Sequence, residues 1–66
     1  MICYYKLFDY MLRNNISRKY IIENAHVSNA TLSKMRKNLN VEMSVIDKLC
    51  ALLDVQPGDI LEFKRD

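Results

Sequence analysis

The stretch SRKYIIENAHVSNATLSKMRKN, residues 17–38, holds two short amphipathic patterns separated by a break too brief for anything but a sharp turn. In the first, Tyr20, Ile21 and Ala25 share one face with Ile22 beside them, and Ser17 stands where an N-cap belongs. The second starts from another N-cap candidate, Ser28, and turns Leu32 and Met35 inward. Asn29, Ala30, Thr31, Ser33 and Lys34 are left on or near its outer face, which is therefore small and polar. Two short helices joined by a sharp turn make a helix-turn-helix. A second helix of this composition suits a DNA groove, because small residues let the backbone come close while Asn, Ser, Thr and Lys can hydrogen-bond base edges or phosphates. An ordinary solvated helix face has the same composition, so the face by itself leaves both readings open.

Charge separates them. From Arg13 to Lys37 six cations (Arg13, Arg18, Lys19, Lys34, Arg36, Lys37) stand against Glu23 alone, a balance of +5, whereas the rest of the chain carries four cations against seven anions, a balance of −3. The overall net charge of +2 hides this segregation. Positive charge gathered on a helix-turn-helix points to a polyanionic partner, and double-stranded DNA is the first choice.

The same residues carry a resemblance to the lambda-repressor-like helix-turn-helix domains of the Cro/CI or Xre type. Their motif runs Thr/Ser-Gln, then Leu-Ala, a turn Gly followed by Val-Ser, and Ile/Leu-Ser before the second helix ends. Ser17, Ile21, Val27, Ser28, Thr31, Leu32 and Ser33 fall on matching positions. The likeness extends from Lys6 to Phe63, because the preceding helix and the segment Gln56-Pro57-Gly58-Asp59-Ile60 also look like small members of this family.

The resemblance implies an all-α, compact four- to five-helix DNA-binding domain. It also implies a cytoplasmic, bacterial or phage transcriptional regulator that binds sequence-specifically. By matching positions, Asn29, Ala30 and Lys34 would meet base edges: Asn29 pairing with adenine, Lys34 reaching guanine acceptors, Ala30 touching a thymine methyl. Arg18, Lys19, Ser28, Thr31, Lys37 and Asn38 would hold phosphates.

Three departures stand out: Arg18 replaces the usual Gln, Ile22 the small residue where the helices press together, and His26 the turn Gly, which needs positive φ. Ile22 and His26 keep open an alternative, a protein-interaction module of antitoxin or anti-repressor kind that retains the fold without specific DNA binding. An exposed apolar patch from Tyr4, Tyr5, Tyr10 or Val45 would favour it.

Outward from the motif, the first helix is expected over about Lys6 to Asn14, with Leu7, Phe8, Met11 and Leu12 inward and Asn14 and Asn15 ending it. A capping-box-like Ser44-Val45-Ile46-Asp47 is expected to start a fourth helix that runs to about Leu53 and turns Ile46, Leu49, Cys50 and Leu53 inward. Pro57 can open one more turn. Ile2 and Tyr4 alternate like a short strand, as do Leu61 and Phe63, so the two ends can pair as a small antiparallel sheet.

Sixty-six residues make one domain, residues 1–66, able to bury only about 60% of the surface its unfolded chain exposes. No phosphate loop, paired carboxylates or nucleophile constellation is present, so an enzyme is not expected. Neither is a cofactor, a metal site built on Cys3, His26 and Cys50, a small-molecule ligand or a membrane partner. One domain reads one half-site, which is too little information against a genome. A weak homodimer is therefore expected, its half-sites about 34 Å apart and its contact through Ile2 to Tyr5 with Ile60 to Phe63, or else through the exposed side of the fourth helix.

Overall fold

The structure, a computed structural model, describes residues 1–65. Among them the chain forms a short strand β1 (Ile2–Cys3), four helices α1 (Tyr5–Arg13), α2 (Arg18–Ala25), α3 (Asn29–Arg36) and α4 (Met43–Leu53), a 3-10 turn at Pro57–Asp59, and a strand β2 (Glu62–Phe63). The strands pair antiparallel, Ile2 opposite Phe63 and Cys3 opposite Glu62, so the ends of the chain meet as the alternation suggested. The mostly helical bundle is the expected architecture.

Its core is a single cluster in which every helix takes part. Leu7 and Met11 come from α1, Ile21 and Ala25 from α2, Leu32 and Met35 from α3, and Ile46, Leu49 and Leu53 from α4, with Tyr4, Val27 and Ile60 from the connections. Spacings of three or four residues put each pair on one side of its helix.

The single glycine, Gly58, serves none of the left-handed positions. Asn15, His26, Asn38 and Asp54 have φ of 56°, 57°, 59° and 54°, and each lies just past the end of a helix. Asn and Asp tolerate this conformation better than other side chains. Behind three of them the chain closes with a long backbone bond: Ile16 N–H to the Met11 carbonyl, Leu39 to Lys34, and Val55 to Cys50, at 2.8, 2.9 and 3.2 Å. These are Schellman closures, and they turn the chain sharply with hardly any loop.

Several inward assignments need correcting. Helix α1 begins at Tyr5 and ends at Arg13, one residue earlier at each end than expected. Leu12 is 78% exposed, because the buried stripe of α1 is Leu7 and Met11, and the next residue sits about 100° further round. Phe8 is half-buried, with Arg36 stacked 4.4 Å over its ring. Tyr20 is exposed beside buried Ile21, and Cys50 is only half-buried beside buried Leu49. Helix α4 takes Glu42, not Ser44, as its N-cap, and the Ser44 hydroxyl donates to Glu42 Oε2 at 3.3 Å. Val41, half-buried against the core, fixes where the chain enters α4 and so places the cap two residues early. At the far end Phe63 is exposed, as a residue of an apolar contact surface would be.

Candidate nucleic-acid interface

Both helices of the motif are started by serine. Ser17 and Ser28 have extended backbones, and each hydroxyl accepts the amide three residues on, Tyr20 N–H and Thr31 N–H, both at 3.0 Å. Each bond satisfies one of the donors that a helix start leaves without a partner. Between the helices His26 takes the left-handed conformation (φ 57°, ψ 40°), as the turn position requires, and Val27 is buried behind it. The turn is kept without glycine. Ile22, the larger residue at the helix contact, is half-buried and packs against the core.

With Leu32 and Met35 buried, α3 leaves Asn29, Ala30, Lys34 and Arg36 exposed, with Thr31 and Ser33 half-buried at its flanks. Arg18, from the first turn of α2, reaches across to the start of this helix. Its Nη2 donates to the Asn29 carbonyl (3.2 Å), to Asn29 Oδ1 (2.7 Å) and to Ser33 Oγ (3.1 Å), so two hydrogens are shared among three acceptors. A guanidinium has no acceptor, which means that the Asn29 amide must turn its oxygen to Arg18 and its NH2 away. The oxygen keeps a second lone pair. Asn29 therefore presents one acceptor and one donor in a fixed orientation, the pair that an adenine edge requires.

On its other flank α3 borders an open groove of about 510 Å³, lined by Ser28, Thr31 and Lys34 from the motif and by Asn40, Glu42, Ser44 and Lys48 from the following loop and α4. The structure thus gathers Arg18 with Asn29 on one side of α3, and Ser28, Thr31 and Lys34 on the other. Lys19 is exposed in the first turn of α2, and Lys37 is exposed at the end of α3. Asn38 is exposed too, but its Oδ1 accepts the Tyr4 N–H at 3.2 Å and so ties the end of α3 to the start of α1. His26 from the turn and Asn40 from the following loop also line the groove, and Lys48 joins it without having been singled out in the sequence. The signal available for Lys48 was its spacing of four from Ser44, which puts both on one face of α4.

Comparison with known proteins bears on this arrangement in two ways. The Cro/C1-type HTH DNA-binding domain family matches residues 6–66. The chain belongs to that family. Among solved structures, that of the transcriptional regulator VanUg (crystal form II) superimposes with a TM-score of 0.89 at 29% identity, over 98% of this chain and 87% of that one. No curated protein matches. As a Cro/C1-type domain the chain falls in a DNA-binding, regulatory family rather than an enzymatic one. Among the described residues no helix is long and apolar enough to cross a membrane.

Proposed function

We propose that this Cro/C1-type domain, one unit over residues 1–66, binds double-stranded DNA sequence-specifically as a small bacterial or phage transcriptional regulator of the cytoplasm. The observation that carries the proposal is the Arg18–Asn29 contact, which holds a base-reading amide in one orientation at the exposed start of α3. Asn29, Ala30 and Lys34 read base edges in the major groove. Lys19, Ser28, Thr31, Lys37 and Asn38 hold the phosphates on either side, with Asn38 using the NH2 that its bond to Tyr4 leaves free.

Arg18 combines both tasks, since Nη2 orients Asn29 while Nε and Nη1 remain for a phosphate. Selection from a random duplex library, repeated with variants, tests the assignment. Lys34→Ala should relax preference at one base pair and cost about 1–3 kcal/mol. Arg18→Ala should lower affinity for every duplex, reduce the salt slope by roughly one phosphate, and blur the base read by Asn29. A loss that is uniform over all sequences for both variants would remove Asn29 and Lys34 from the reading face.

The interaction-module reading retains one observation in its favour: Tyr5 is exposed, whereas Tyr4 is buried and Tyr10 and Val45 are half-buried. A gel shift against random duplex at low salt separates the two. A DNA-binding domain gives salt-sensitive, non-specific association, and a module without DNA function gives none.

A further inference from the structure

Helix α1 carries two apolar stripes. Leu7 and Met11 fill the core, and on its outer side Tyr5, Phe8 and Leu12, at spacings of three and four, form a second row. Tyr5 is 52% and Leu12 78% exposed. With Met35 and Arg36 of α3 this row lines an open groove of about 610 Å³, and Asp9 stands on the α1 wall. Of the contact surface expected from the sequence, Cys3, Tyr4 and Ile60 are spent on the fold's own interior, while Tyr5 and Phe63 stay exposed, and Tyr5 belongs to this row.

We infer that the α1 row of Tyr5, Phe8 and Leu12 is the surface on which a second copy of this chain docks. The inference rests on the proposed DNA-binding reading, takes up the weak homodimer expected from the sequence, and names its contact. Charge selects the occupant. One wall of the groove carries Asp9 and the other Arg36, each held in place: Asp9 by Arg13 at 3.0 Å, Arg36 by its stacking on Phe8. A partner segment of one sign would pair with only one of these two groups, and a positive one would also meet the Arg13 that holds Asp9. A second copy related by a two-fold axis brings its own Arg36 to Asp9 and its own Asp9 to Arg36, with the two Leu12 side chains packed between them. A weak association buries less than about 1,200 Å² in total, roughly 600 Å² per copy, which is about an eighth of the 4612 Å² this chain exposes. The row of Tyr5, Phe8 and Leu12, on a helix about 14 Å long at 1.5 Å per residue, supplies part of that area, and the Asp9 and Arg36 walls extend it.

Sedimentation equilibrium of the full chain without DNA, from micromolar to millimolar concentration, tests the surface. The wild type should pass from monomer to dimer. Leu12→Glu should weaken the dimer roughly tenfold or more with an unchanged thermal melt, because the site is exposed. Asp9→Lys and Arg36→Glu should each weaken it, and the two together should restore it. A wild type that stays monomeric at millimolar concentration, a dimer indifferent to Leu12→Glu, or a double reversal without rescue would overturn the inference. Non-specific duplex binding, read by gel shift on the same samples, depends on the motif, so its loss would count against the DNA reading and not against the dimer surface.

Discussion

The two helices of the motif and the two that flank it are started in different ways. Helices α2 and α3 are eight residues each, and each begins with a serine hydroxyl bonded to the amide three residues on. Helices α1 and α4 follow Tyr4 and Glu42, whose side chains cap nothing among the described residues, and α4 instead runs eleven residues and buries Ile46, Leu49 and Leu53. A short helix that keeps its outer face polar has little further apolar surface to offer, so its ends are fixed by local hydrogen bonds. The longer α4, with three buried side chains, can leave its start to the packing, and α1 follows a residue, Tyr4, that is itself buried in the core. The motif thus obtains a fixed position without covering the face it presents.

The contrast is tested hardest at Leu49, fully buried on α4. Leu49→Ala should cost about 2–5 kcal/mol in urea-induced unfolding, a large part of the roughly 3–10 kcal/mol expected for a chain of this size. A loss no larger than that of a helix cap would mean that α4 is not held by burial. Next in size come the caps. Ser17→Ala and Ser28→Ala should each lower stability by about 1 kcal/mol, whereas Ser44→Ala should stay within about 0.5 kcal/mol, since Ser44 bonds only the exposed Glu42 side chain. Equal losses at Ser28 and Ser44 would erase the distinction between the two pairs of helices.

The same distinction explains what the sequence made legible. Ser17, Ser28, the positive φ at His26, the asparagines ending α1 and the turn at Pro57 were all readable, because each depends on atoms within a few residues. That the two ends pair followed from alternation at both, though the register, Ile2 opposite Phe63, did not. What misled was tertiary. Ser44 has the form of a cap, yet the packing of Val41 starts α4 at Glu42. Leu12 and Tyr20 are as apolar as their neighbours, and only the direction of the core decides that Met11 and Ile21 are inside instead. At the interface, the residue types were legible, but the hold of Arg18 on Asn29 spans eleven positions and two helices, and Lys48 reaches the groove from a helix outside the motif.

His26 is the one point where the motif's local order is under strain. His tolerates a left-handed backbone less well than Asn or Asp, and the position costs a side chain roughly 1 kcal/mol relative to glycine. His26→Gly removes that strain but frees the unfolded chain, so a net gain of a few tenths to about 1 kcal/mol is expected. His26→Val, β-branched at the same φ, should destabilise instead. Thermal melts of the two variants should move in opposite directions, and a fall in both would show that the imidazole itself supports the turn.

The smallest expected effect belongs to the flanking side, at Cys50. Partial burial on α4, followed by the nearby carboxylates of Asp47 and Asp59, pushes this thiol above its ordinary value of 9.0. The sign follows from which state holds the proton. Above pH 9 the unfolded chain releases the thiol proton while the folded chain still binds it, so the contribution is fully present below that pH and is lost as the pH rises through the folded value. Cys50→Ser removes the titrating group and leaves the rest of the alkaline titration in place. The stability difference between wild type and Cys50→Ser should therefore be flat up to about pH 8 and shift against the wild type by about pH 10. A difference that stays flat over the whole range would mean that Cys50 is as well solvated as the exposed motif. The flanking helix would then be less dry than its buried leucines make it.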